Sequence, residues 1–138
     1  MLLKLEHLGI AIKDPDHSLA HWEKILGTSP YKMEEVPSEK VNTFFYQLGN
    51  VKIELLSPTD PQSVIHSYLE KKGEGIHHLA FEVEDIYVAM EHYKNLGFKL
   101  INPEPKRGAD NKLICFIHPK DTGGVLIELC QEIKEILD

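Results

Sequence analysis

From Lys4 to Ile12 the chain alternates, with His7, Gly9 and Ala11 on one face and Leu8, Ile10 and Ile12 on the other, which predicts a strand. Asp14-Pro15 supplies an N-cap and a first helical residue. The apolar spacing then becomes helical at Leu19, Trp22, Ile25 and Leu26, and Gly27 ends the helix. Three strands are expected next, Tyr31 to Val36, Val41 to Leu48 and Val51 to Leu56, the last two joined by a tight turn at Gly49-Asn50. After a linker from Ser57, Asp60-Pro61 is expected to cap a connecting helix with Val64, Ile65, Tyr68 and Leu69 as its apolar positions, stopped by Gly73 and Gly75. The order then repeats. A strand runs through Val83, and a helix capped by Asp85 turns Ile86, Ala89, Met90 and Tyr93 inward. Strands are expected at Phe98 to Ile101, Lys112 to His118 and Val125 to Gln131. The stretch Pro103 to Asn111 reads as a long loop rich in turn residues, and such loops usually serve a use. A short helix carrying Ile133, Ile136 and Leu137 closes the chain.

The repetition extends to individual residues. Glu6-His7-Leu8-Gly9-Ile10-Ala11-Ile12-Lys13-Asp14 recurs as His77-His78-Leu79-Ala80-Phe81-Glu82-Val83-Glu84-Asp85, and Lys52-Ile53-Glu54-Leu55-Leu56 recurs as Leu126-Ile127-Glu128-Leu129-Cys130. Each half thus offers one His on its first strand and one Glu on its last. The separation is 47 positions from His7 to Glu54 and 50 from His78 to Glu128. Two half-modules related by a pseudo-twofold would bring two imidazoles and two carboxylates together, a set that neutralises a divalent cation and supplies four N/O ligands. Alignment with His7 selects His78 over its neighbour His77, because adjacent strand residues face opposite ways. His118, before Pro119, is expected to shape a turn, and His17, His21, His66 and His92 to be helix-surface residues without partners.

The 138 residues suffice for one ordinary domain, divided as module one about 4–58, a connecting helix about 60–73 and module two about 75–131. A formal charge of −7 argues against a nucleic-acid footprint, so an anionic ligand must be met by local cations. No apolar run is long enough to span a membrane, and the first residues lack a signal-peptide pattern, which predicts a cytoplasmic protein. Cys115 and Cys130 lie in strand-like segments without a Cys-x-x-Cys spacing and are expected to be buried and reduced.

The chain resembles the vicinal oxygen chelate superfamily, and within it the methylmalonyl-CoA epimerases. The resemblance runs through Gly73-Glu74-Gly75-Ile76-His77-His78-Leu79-Ala80-Phe81, Pro105-Lys106-Arg107-Gly108-Ala109-Asp110-Asn111, and the run from His118 to Leu129. It implies an α+β fold of two paired βαβββ modules forming a half-barrel around a metal cleft, with His7, Glu54, His78 and Glu128 as ligands. It also implies one divalent ion, with Co²⁺ the first choice and Mn²⁺, Ni²⁺ or Zn²⁺ accepting the same ligands, and a homodimer. The implied reaction interconverts (R)- and (S)-methylmalonyl-CoA by removing and returning the proton α to the thioester, through an enolate that the metal stabilises. Glu128 is the candidate acid/base, and Lys106, Arg107 and Lys120, with Lys112, are candidates for the coenzyme A phosphates. Some epimerases place a further glutamate on the strand that here reads Val41-Asn42-Thr43. An ungapped register puts Asn42 there and leaves the second acid/base group open, with Glu39 a nearby substitute. The alternatives are glyoxalase I, a metal-free binding protein of the same fold, and an extradiol-type dioxygenase, which the fourth ligand Glu54 disfavours.

Overall fold

A computed structural model describes residues 1–134. Two compact units emerge, one of residues 7–77 and the other of residues 1–6 with the chain from 78 onward. The first contains most of strand β1 (Leu2–Ala11), helix α1 (Pro15–Leu26), β2 (Lys32–Val36), β3 (Val41–Leu48), β4 (Val51–Pro58) and α2 (Val64–Lys72). The second contains β5 (Gly75–Val83, from His78), α3 (Ile86–Asn95), β6 (Lys106–Gly108), β7 (Lys112–Ile117) and β8 (Ile127–Glu132).

In the first unit the strands lie in the order β2-β3-β4-β1, antiparallel except for the parallel pair β4 and β1. One face carries Ile10, Ile12, Tyr46, Ile53 and Leu55, which pack with Phe44 against Leu19, Trp22 and Leu26 of α1. The helix forms as its caps require: the Asp14 carboxylate accepts from the Asp16 amide, Pro15 stands at the start, and Gly27 ends it with φ of 72°. Ile25 is exposed rather than inward. Helix α2 is capped by Ser63, whose hydroxyl accepts from the Ile65 amide. Asp60, the expected cap, instead takes the Gln62 amide in the preceding turn, and Val64 is left exposed.

The second unit orders its strands β5-β8-β7-β6, again with one parallel pair, β5 and β8. Val83, Cys115, Ile117 and Leu129 pack on Ile86, Ala89 and Met90 of α3, capped by Asp85 on the Tyr87 and Val88 amides. The opposite face carries Ala80, Ile114 and Cys130 with Phe116.

The segment after α3 departs from expectation. The strand anticipated at Phe98 to Ile101 reduces to a single bridge, Leu100 to Ile117, held by the Ile101 amide on the Phe116 carbonyl and the His118 amide on the Lys99 carbonyl. Pairing stops there because Asn102 turns its side chain onto the Phe116 amide, and Pro103 and Pro105 carry no N–H for a ladder. It resumes inside the stretch expected to be loop, where Lys106, Arg107 and Gly108 oppose Ile114, Leu113 and Lys112. Asp110 and Asn111 close the hairpin with φ of 60° and 54°, a region those two residue types tolerate. Gly108 is required by contact as well: a Cβ there would stand 2.7 Å from the Ile114 side chain. The helix expected at the C-terminus, with Ile136 and Leu137, falls outside the described residues.

Candidate metal and acid/base site

Helix α1 covers one face of the first unit's strands and α3 one face of the second's; on the other face the repeat becomes geometry. In the first unit Gly9 is the register partner of Glu54, and His7 stands two residues earlier on the same face of β1. The Glu54 carboxylate Oε2 lies 3.0 Å from His7 Nδ1. In the second unit Ala80 is the partner of Glu128, His78 again stands two residues earlier, and Nε2 of His78 lies 3.5 Å from Oε1 of Glu128. Even the flanking aromatic repeats. Phe45 is the partner of Glu54 on β3, and Phe116 is the partner of Glu128 on β7, with its ring edge-on to His78 at 5.9 Å.

All four polar residues are buried: His7, Glu54, His78 and Glu128 are 4–6% exposed. Burying a carboxylate demands a compensating donor or cation. The separations fit a cation, because two ligands about 2.1 Å from one ion lie about 3.0 Å apart at a right angle and about 3.4 Å apart at the tetrahedral angle. The His and carboxylate donors match the borderline N/O preference of the divalent transition metals, and no thiolate is needed.

The remaining histidines separate from this set. His77 faces away from His78 and packs edge-on against Tyr68 of α2 at 4.9 Å, where burial pushes its imidazole down to about 4. His118 accepts from the Lys120 amide at the start of a 3-10 turn, the shaping role expected of it. His66 does have a partner, contrary to expectation, in Glu70 one helical turn on at 3.0 Å.

The basic candidates divide by strand alternation. Lys106 and Lys112 share the face of Ile114 and Cys130, and Lys112 is buried at 6% exposure. Arg107 points to the other face and reaches Asn111 at 3.4 Å, while Lys120 sits in the turn after β7. Cys115 and Cys130 are free and buried; burial raises the Cys115 thiol to about 11 and pushes Cys130 higher still, aided by the nearby Glu128.

One expectation is corrected by the register. Asn42 is the partner of Ser57 and shares the α1-facing side of β3 with Phe44 and Tyr46, so it does not face the His7 and Glu54 pair. The residue on that face is Thr43, 1% exposed. Counting back from the Gly49-Asn50 turn in steps of two from the partner of Glu54 reaches Thr43, a signal already present in the sequence.

The chain belongs to the Glyoxalase/Bleomycin resistance protein/Dioxygenase superfamily, whose family model matches residues 6–116. Its similarity to named members is high over nearly the whole length. It is 40% identical to the ethylmalonyl-CoA/methylmalonyl-CoA epimerase of Cereibacter sphaeroides, over 95% of this chain and 99% of that protein. The crystal structure of methylmalonyl-CoA epimerase from Mycobacterium tuberculosis matches with a TM-score of 0.91 at 33% identity, covering 96% of this chain and 90% of that one. A variant of the Streptomyces coelicolor methylmalonyl-CoA epimerase in complex with 2-nitronate-propionyl-CoA matches with a TM-score of 0.92 at 30% identity, over 97% and 100% of the two chains.

Proposed function

We infer that the protein is a methylmalonyl-CoA epimerase, an enzyme that interconverts the (R) and (S) forms by taking and returning the proton α to the thioester. The duplicated pair, a buried His beside a buried Glu in each unit, carries this reading. We propose that His7 and Glu54 from one unit and His78 and Glu128 from the other hold a single divalent ion, Co²⁺ in first place, with Mn²⁺, Ni²⁺ and Zn²⁺ as its competitors. Such an ion supplies Lewis-acid stabilisation of the oxygen on which negative charge grows as the α proton leaves.

The chain's own residues supply the rest. Glu128 is the proposed acid/base group on one face of the α carbon, its carboxylate taking the proton in one direction of the reaction and its protonated form supplying one in the other. Inverting the carbon requires a second proton source on the other side of the bound acyl group. Phe45 and Phe116, each beside one of the two glutamates, line the site faces with apolar surface that strengthens the charge interactions made there. Lys106 and Lys120 are the proposed contacts for the phosphates of the acyl-CoA. Arg107 turns to the opposite face by its strand position and is not among the proposed phosphate contacts. No helix among the described residues is long and apolar enough to cross a membrane. The cytoplasm is the proposed setting and a homodimer the proposed assembly, the latter resting on the family resemblance alone.

The test is stereochemical. Protein supplied with pure (S)-methylmalonyl-CoA should generate the (R) epimer until the two are nearly equal, should stop doing so after chelation and dialysis, and should resume with Co²⁺. An unchanged epimer in the presence of each of the four metals would refute the assignment.

A further inference from the structure

The two units differ at one corresponding position. Two residues beyond the glutamate on the last strand of each unit stands its successor on the same face, Leu56 after Glu54 and Cys130 after Glu128. Across the ladder from Leu56 is Thr43, and across from Cys130 is Ile114. Both are β-branched, as strand packing favours. Ile114 satisfies that demand with hydrocarbon alone, in the cluster with Ala80 and Cys130. Thr43 brings a hydroxyl that packing does not require. Its Oγ1 is fully buried and has no hydrogen-bond partner. Leaving a buried hydroxyl unpaired costs on the order of 1–3 kcal/mol, so an acceptor supplied by something else is the economical explanation. The hydroxyl lies on the face that carries His7 and Glu54, one row along from the Phe45–Glu54 pair and away from the α1 core.

We propose that Thr43 is a substrate-positioning residue whose hydroxyl donates a hydrogen bond to an acyl oxygen of the bound thioester, either the free carboxylate or the thioester carbonyl. It rests on the acyl-CoA reading above. A neutral hydroxyl is no base at neutral pH, so its contribution is to orient the acyl group, not to take the α proton. The carboxylate and carbonyl sources share this chemistry and separate experimentally, because malonyl-CoA carries both oxygens and propionyl-CoA only the second.

The informative variants are Thr43→Val, which keeps the branched shape and removes the oxygen, and Thr43→Ser, which keeps the oxygen and removes the methyl. Metal-loaded Thr43→Val should lose about tenfold in kcat/KM, the value of one ordinary hydrogen bond, while Thr43→Ser stays within about threefold of wild type. Without ligand, Thr43→Val should melt at the wild-type temperature or above, because a methyl replaces an unsatisfied group. Calorimetric titration should show weaker malonyl-CoA binding by Thr43→Val; propionyl-CoA binding falls equally if the carbonyl is the acceptor and stays unchanged if the carboxylate is. Wild-type kcat/KM and wild-type affinity for both thioesters in Thr43→Val would overturn the proposal, as would a lowered melting temperature in Thr43→Val that Thr43→Ser restores in the absence of ligand. Wild-type protein without epimerisation would instead remove the function on which it rests.

Discussion

Replacing His7 by Ala probes the polar pair most sharply. His7 and Glu54 meet at 3.0 Å with side chains each 5% exposed, so in metal-free protein the imidazole is a buried donor for a buried carboxylate. Removing the donor takes one close polar partner from a buried carboxylate, and breaking a buried pair from one side typically costs about 3–5 kcal/mol. Against a total stability of roughly 5–15 kcal/mol, that is a large fraction. Converted at about 4 °C per kcal/mol for a chain of this size, the melting temperature should fall by about 12–20 °C. Glu54→Gln removes the charge yet keeps an oxygen acceptor for His7, and should cost only about 1 kcal/mol. The double variant should be less damaging than the sum of the singles by about 2 kcal/mol, since each single change already breaks the same pair. Urea denaturation of chelator-treated protein gives all four values. Equal losses for the two singles, adding without coupling, would refute the claim that the pair is formed and buried.

Three further outcomes follow from the same geometry. His78→Ala should lose most of its bound metal by elemental analysis while His77→Ala, altered on the opposite face against Tyr68, keeps it; the reverse result would shift the repeat alignment by one residue. Charge removal at Lys106 or Lys120 should raise KM for methylmalonyl-CoA several-fold with little change in kcat, and should flatten the salt dependence of KM; an effect confined to kcat would place neither on the phosphates. Cys115 binds its proton more tightly folded than unfolded, with a folded value of about 11 against the ordinary 9.0, so the stability it contributes is complete below pH 9 and is lost as pH rises through 11, about 3 kcal/mol at full effect. Cys115→Ala should lose less stability than wild type between pH 9 and 11, by about the Cys115 share, with Cys130 supplying the rest, and native protein at pH 8 should resist thiol alkylation until denatured.

Much of the site was legible because strand chemistry is periodic. His7 two residues before Gly9, and His78 two before Ala80, mark one face each, and the turn at Gly49-Asn50 fixes which residues of β3 share it. Asp14-Pro15 and Asp85 announced their helices by local capping, which depends on few neighbours. Where tertiary partners decide, pattern gave less. Lys106 to Gly108 becomes a strand because β7 offers an edge, in a stretch whose prolines and glycine read as loop. Ser63, rather than Asp60, caps α2, although both residue types are suitable. An ungapped register points to Asn42, which lies on the helix face, while Thr43 beside it lies on the site face, because one residue of slip exchanges the two.

The central claim, that this chain takes and returns the α proton of methylmalonyl-CoA, is tested most directly by nuclear magnetic resonance in D₂O. Metal-loaded protein should wash deuterium into C2 while the thioester stays intact, chelation should halt the uptake, and Glu128→Gln should retain some metal yet lose most of the exchange. Full metal occupancy with no deuterium at C2, accompanied by conversion of the methylglyoxal–glutathione adduct, would contradict the claim and make the protein a glyoxalase.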